Sequence, residues 1–367
     1  MSIDFRSSEA DPTSGATKPP ESYTDLRTPF QSFKSRRTRA QTRRSGLQPV
    51  PRRGPYYDVA PDILGLKTGI VNVYFIGAPG SSHWVLIDAG ISGSAQKIIR
   101  TARRRFGANT PPAAIILTHG HFDHVGSLHA LLRHWDVPVY AHPLEMPYLT
   151  GRSSYPPPDP SVGNGCMALM SSMYPSRPID LGNHVRVLPP EGVIMQLPGW
   201  RWLHTPGHSP GHISLFRDDD HALIAGDAFV TLRAESLLAN LTLEPELHGP
   251  PMYFTPDWIA ARKSVALLAE LRPEVVATGH GVPLYGQMMQ HDLERLAARF
   301  EQLALPDQGR YRLEPALADH TGVIRVPPSI PQPEKSAALI AGGVAVGLML
   351  GMLLGMRRKP QWSDLWS

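Results

Sequence analysis

The sequence predicts an α/β fold arranged as a four-layer αββα sandwich, with a basic disordered tail before it and one transmembrane helix after it. Three observations carry that reading. Short apolar runs with strand chemistry alternate with helical patterns over 69–140 and again after Val185, so groups of strands have helices on both flanks. Several of these runs end in loops that carry His and Asp side chains. Residues 337–356 form an apolar stretch without one charge, and an α-helix of that length rises about 30 Å, the thickness of a bilayer's hydrocarbon core.

Residues 1–55 are rich in Ser, Thr, Pro and Arg and nearly free of aliphatic clusters, which predicts a disordered tail. Lys34, Arg36, Arg37, Arg39, Arg43, Arg44, Arg52 and Arg53 occur there without an intervening acid, so the tail is basic although the net charge of the chain is only +4. Such a run either touches anionic lipid or nucleic acid or stays solvated. No apolar segment of the secretory type follows the amino terminus, so no signal peptide is expected.

A domain over 56–305 follows. Hydrophobic residues make up 42% of the chain, enough for a substantial core, and 38 prolines predict long connections. The spacing predicts strands over 69–76 and 84–87, a helix over 94–106, a strand over 113–117, a helix over 125–134 and a strand over 137–140. Further on it predicts strands near 193–197, 200–205, 212–216 and 222–225, a helix over 258–271 and a strand over 274–277. A helix over 288–303 presents Leu293, Leu296, Phe300 and Leu303 as a core face. The single cysteine, Cys166, excludes an intrachain disulfide and a thiolate-based zinc site.

Two segments interrupt this plan. Residues 143–183, with Tyr148, Tyr155, Met167, Met170, Met173 and Tyr174, are too long for an ordinary connector and are expected either as an apolar lid over the site or as a surface loop packed on the body. Residues 229–253 carry Arg233, Glu235, His248 and Tyr253 directly after Asp227, a position suited to substrate contact.

The chemistry concentrates in Thr118-His119-Gly120-His121-Phe122-Asp123-His124, directly after a buried-strand pattern. Three imidazoles and a carboxylate in six residues cost free energy if buried without partners. A divalent metal supplies those partners. The alternation His119-x-His121 lets two imidazoles face one ion, while Asp123 and His124 turn toward a second position.

This HxHxDH motif resembles the signature of the metallo-β-lactamase-fold hydrolases. Downstream, Thr205 to His212 resembles that family's second histidine motif, through His208. Asp227 in Ala225-Gly226-Asp227 resembles its bridging aspartate, His280 in Thr278-Gly279-His280-Gly281 its last histidine, and Asp88 in Leu86-Ile87-Asp88-Ala89-Gly90 its early aspartate. The resemblance covers about 65–285 and implies the metallo-β-lactamase form of the αββα sandwich. It also implies two metal positions, one held by His119, His121 and His208, the other by Asp123, His124 and His280, with Asp227 between them. Asp88 and His212 are expected behind the ligands. His129, His134, His142, His184, His204, His221, His248 and His291 are expected to be surface or structural residues.

Nitrogen and oxygen ligation suits two Zn2+ ions, with Mn2+ or Fe2+ as alternatives. Two such ions can hold a hydroxide between them, so the implied reaction is hydrolysis, with Asp123 as ligand, orienting group and proton shuttle. Asp227 disfavours the true zinc β-lactamases. The glyoxalase II and lactonase-like branch remains, acting on an ester, thioester or lactone of a small-molecule substrate. With one expected helix after His280, the helical glutathione-binding domain is not matched. The alternatives are a mononuclear iron persulfide dioxygenase-like enzyme, a phosphodiesterase or nuclease, and a non-catalytic metal-binding membrane scaffold; nucleic acid is not the expected partner.

Residues 306–336 read as a Pro-containing linker, 337–356 as the membrane span and 357–367 as a short tail. Gly343, Gly347, Gly351 and Gly355 would form a stripe for pairing two copies of that helix. The sequence therefore predicts a single-pass carboxyl-terminal anchor in contact with lipid, and a cytoplasmic catalytic domain.

Overall fold

Alternate side chains of a strand point to opposite faces, and here both faces are apolar. Val73 and Phe75 pack on one side of their sheet while Tyr74 and Ile76 pack on the other, which demands a layer over each face. The computed structural model describes residues 47–330, apart from 164 and 191. Its strands are β1 (Gln48–Pro49), β2 (Arg52–Arg53), β3 (Tyr56–Ala60), β4 (Ile63–Thr68), β5 (Val71–Ile76), β6 (Val85–Ile87), β7 (Ala114–Ile116), β8 (Val139–Ala141), β9 (Val185–Val187), β10 (Trp200–His204), β11 (Ile213–Arg217), β12 (Ala222–Gly226), β13 (Val275–Thr278), β14 (Leu284–Tyr285), β15 (Leu317–Asp319) and β16 (Gly322–Arg325).

Strands β2 to β9 form one sheet in chain order, antiparallel up to β6 and parallel from β6 to β9. The second sheet runs β1-β14-β13-β12-β11-β10, with β12 and β13 parallel. Ile76, Ile87 and Ile116 of the first meet Ile213, Leu215 and Ile224 of the second, making the inner layer of the sandwich. Outside the first sheet lies the helix Ala95–Phe106, whose buried stripe Ile98, Ile99, Ala102 and Phe106 has helical spacing. Outside the second lie Trp258–Glu270, capped by Asp257 accepting from the Ala260 N–H at 2.9 Å, and Gln287–Ala298.

Trp84 anchors the first outer layer. It stacks on Phe106 at 4.4 Å between ring centroids, meets Trp135 edge-on at 5.6 Å, and its indole N–H donates to the Thr110 carbonyl at 3.1 Å. Trp84→Ala should cost about 3–5 kcal/mol of stability, read as a lowered denaturant midpoint. A midpoint shift worth less than about 1 kcal/mol would show that this layer does not hold the sandwich together.

The structure corrects the expected fold. Among the described residues no helix is long and apolar enough to cross a membrane. The longest, Trp258–Glu270, has 13 residues and carries Arg262, Lys263 and Glu270; at 1.5 Å per residue it rises only about 20 Å. The described residues thus contain no transmembrane helix, and the expected membrane anchor, lipid contact and helix-paired second copy find no support in them. The segment 337–356, on which that expectation rested, lies outside the described residues, as do 1–46 of the expected tail.

Local boundaries move as well. Residues 47–55, expected in the tail, contribute β1, which pairs with β14, and β2, which pairs with β3. The expected linker holds the hairpin of β15 and β16. Residues 193–197 are not a strand: Val193 makes one isolated bridge to Arg201, and Leu197 closes a turn by donating to Ile194 O. The expected helix 125–134 is two short helices, Phe122–Val125 and Leu128–Leu132, split at Gly126, where a Cβ would lie 2.4 Å from the Ser92 backbone nitrogen.

Candidate metal centre

The strand ends bring the motifs together. Thr118 to His124 follow β7, Asp227 follows β12, Gly279 and His280 follow β13, and His208 lies in the loop between β10 and β11. His119, His121, Asp123, His124, His208, Asp227 and His280 are all buried. Their potential ligand atoms fall into overlapping groups within 4.8 Å: His119 with His121 and His208, His119 with His124 and Asp227, and Asp123 with His124 and His280. All seven residues singled out in the sequence thus meet at one place.

Asp227 joins the groups. Its Oδ2 lies 3.1 Å from His280 Nε2, 3.4 Å from His208 Nε2 and 3.6 Å from His124 Nε2. Asp123 Oδ2 stands 3.3 Å from His280 Nε2 and 3.9 Å from His124 Nε2, and His121 Nδ1 faces His208 Nε2 at 2.9 Å. His119 Nε2, His124 Nε2 and Asp227 Oδ1 are buried without a hydrogen-bond partner. Orphaned acceptors cost free energy in a protein interior, and a divalent cation satisfies a convergent set of imidazole nitrogens and carboxylate oxygens. The residues therefore fit a metal ion.

The ring nitrogens that point outward are tied down. Asp88 Oδ2 takes the His124 Nδ1–H at 2.8 Å and the Thr118 hydroxyl at 2.8 Å, while its Oδ1 takes the Thr118 N–H at 2.8 Å. Asp88 adopts a left-handed backbone, φ 59°, a region that Asp tolerates better than most residues. The His280 Nδ1–H donates to Ile70 O at 2.9 Å, and His119 Nδ1 lies 3.1 Å from Thr118 Oγ1. These contacts fix which nitrogen of each ring faces inward. His212 uses both nitrogens elsewhere: Nε2 accepts the Asp227 N–H at 2.8 Å and Nδ1 sits 2.9 Å from Thr205 Oγ1. It stands behind Asp227. His204 turns away, contacts Pro210 O and stacks on His142.

Electrostatics divide the imidazoles. Burial and neighbouring histidines hold His119 and His208 well below the usual imidazole range, and burial takes His121 to about 4. Neutral rings of this kind offer lone pairs. Burial also pulls on His124 and His280, but Asp227 with Asp88 and Asp123 outweighs it for His124, and Asp227 with Asp123 holds His280 at about 10. The carboxylates thus make this corner of the site favourable to a cation, and a metal ion bound there would take the place of the inward-facing ring protons. Burial raises Asp227, yet His280 and His124 bring it well below the ordinary carboxylate value.

An aromatic wall flanks the cluster. Phe254 stacks on His121 at 4.8 Å, Tyr155 lies 4.5 Å from the same ring, and Tyr174 sits 5.6 Å from Phe122. Tyr155 and Tyr174 come from 143–183, so that insertion does reach the site. Of the second segment, Tyr253 packs against Tyr174 and Phe254. Arg233 instead pairs with Glu246, Glu235 accepts the Met252 N–H, and His248 exchanges backbone bonds with Val230. Sequence reasoning missed Phe254, which lies just past the segment considered, and Glu145, a buried carboxylate in the turn Pro143–Glu145. Neither belongs to a motif with its own spacing.

Comparison with known proteins agrees with this geometry. The profile of the metallo-beta-lactamase superfamily matches residues 66–280. The probable metallo-hydrolase YflN of Bacillus subtilis (strain 168) is 48% identical over 253 residues, covering 69% of this chain and 96% of its own length. The probable metallo-hydrolase YybB of the same organism is 29% identical over 196 residues, covering 53% and 74%. Among solved structures, the archaeal metallo-beta-lactamase superfamily protein ST1585 from Sulfolobus tokodaii superposes with a TM-score of 0.45 at 20% identity, over 79% of this chain and 98% of its own. Fold and site together define a metallo-hydrolase. The chain belongs to the metallo-β-lactamase superfamily, whose members bind divalent metals.

Proposed function

We propose that this chain is a two-metal hydrolase of a small-molecule ester, thioester or lactone. The observation that carries the reading is Asp227 Oδ2, which one set of contacts places beside His208 on one side and His124 and His280 on the other. His119, His121 and His208 would hold one ion, Asp123, His124 and His280 the other, and Asp227 both. When bound, such ions supply Lewis acidity toward a carbonyl oxygen and make water acidic enough to attack near neutral pH.

The chain's own residues do the rest. Asp123 presents a buried carboxylate beside His280, suited to take a proton from the attacking water on a carboxylate oxygen and return it to the leaving group. Buried Tyr155 excludes water from one flank, and the part-exposed rings of Phe254 and Tyr174 offer a surface to an apolar acyl or aromatic portion of the substrate. Zinc fits the ligand types well, and manganese and iron fit the same atoms.

The test is metal removal and refilling of the full-length chain. Chelator treatment should abolish hydrolysis, and Zn2+, Mn2+ or Fe2+ should restore it on a panel of carboxylic esters, thioesters and lactones, with phosphodiesters and persulfides as competing classes. Unchanged turnover in chelator, or turnover confined to the competing classes, would sink the proposal.

A further inference from the structure

Glu145 lies outside the ligand set yet touches both histidine-bearing loops. Four donors converge on its buried carboxyl. Oε2 receives the Gly120 N–H at 2.9 Å and the Tyr155 hydroxyl; Oε1 receives the Ser209 hydroxyl at 2.7 Å and the Gly211 N–H at 2.8 Å. Gly120 separates His119 from His121, and Ser209 and Gly211 follow His208. A carboxylate has about four acceptor positions and no donor, so it can satisfy all four groups. A carboxamide would turn its NH2 toward two of them.

The clamp has little slack. A Cβ on Gly211 would lie 2.8 Å from Glu145 Cγ, and one on Gly120 would lie 2.6 Å from the Tyr155 hydroxyl. Glu145 and Tyr155 can therefore seat this closely against the two loops only because these positions are glycine. The other expected metal position is braced differently, by Asp88 on His124 and by Ile70 O on His280.

We propose that Glu145 is a positioning residue that clamps the His119–His121 loop to the His208 loop and so sets the affinity of that one metal position. This rests on the two-metal reading above. Full-length wild type and Glu145→Gln would be titrated side by side with Zn2+ against a competing chelator, with metal content measured directly. Wild type should hold two ions. Glu145→Gln should keep one at wild-type affinity and bind the other about 10- to 100-fold more weakly. In a His208→Ala background, which removes the same position, Glu145→Gln should leave the remaining affinity unchanged.

Equal weakening of both ions, or none, overturns the inference while the two-metal reading stands. A wild-type chain holding fewer than two ions overturns both. If Glu145→Gln does not fold, Tyr155→Phe and Ser209→Ala each delete one donor from the clamp and should show the same one-sided loss, and an even loss would overturn the inference equally well.

Discussion

Asp227→Ala should strip most of the metal and lower hydrolysis by at least about a hundredfold, since even residues that only support a ligand cost 10- to 100-fold when removed. One oxygen, Oδ2, approaches His280, His208 and His124 within 3.1–3.6 Å, so a single truncation removes a donor from both groups at once. The loop itself should survive, because its anchor to His212 is the Asp227 backbone N–H, which alanine retains. Elemental analysis and turnover on the same preparation make the measurement. Full metal content with unchanged turnover would end the dinuclear reading.

The core of the candidate site was legible in the sequence because its chemistry is local. His119 to His124 crowd into one loop, whereas His208, Asp227 and His280 were reached through the resemblance to the metallo-β-lactamase-fold hydrolases. Glu145 was not legible for the opposite reason. Its partners lie 10 to 66 residues away, and two of the four are backbone N–H groups, which carry no residue identity.

The fold was read with the same bias. The runs 71–76, 85–87 and 222–226 are apolar on both faces and stood out. The strand Ile63–Thr68 did not, because Gly65 interrupts its pattern; yet Gly65 is there to make room, a Cβ meeting Tyr74 at 3.0 Å and Tyr57 at 3.2 Å. Conversely, Ile194 and Leu197 are buried like strand residues although their backbone turns. Burial alone does not distinguish a strand from a tucked loop. The expected membrane helix came from length and apolarity alone, over a segment that lies outside the described residues.

Gly279→Ala should lower activity by about a hundredfold while the sandwich stays folded. A Cβ there would lie 2.0 Å from Asp227 Oδ1 and 2.8 Å from His124 Cε1. The backbone cannot retreat, because the Gly279 N–H donates to Gly226 O at 2.8 Å and the Gly279 carbonyl accepts the Asn72 N–H at 2.8 Å. The side chains must therefore move, and a displacement of about 1 Å in a reacting constellation costs on the order of 100-fold. Overpacking at one site costs only about 1–3 kcal/mol, so the thermal transition should remain cooperative and fall modestly. The variant thus perturbs Asp227 and His124 by shape, without altering any ligand's chemistry. Loss of metal with a retained transition is the expected pair of results. Wild-type metal content and turnover in Gly279→Ala would mean that Asp227 and His124 do not meet as described, and the site geometry would have to be abandoned.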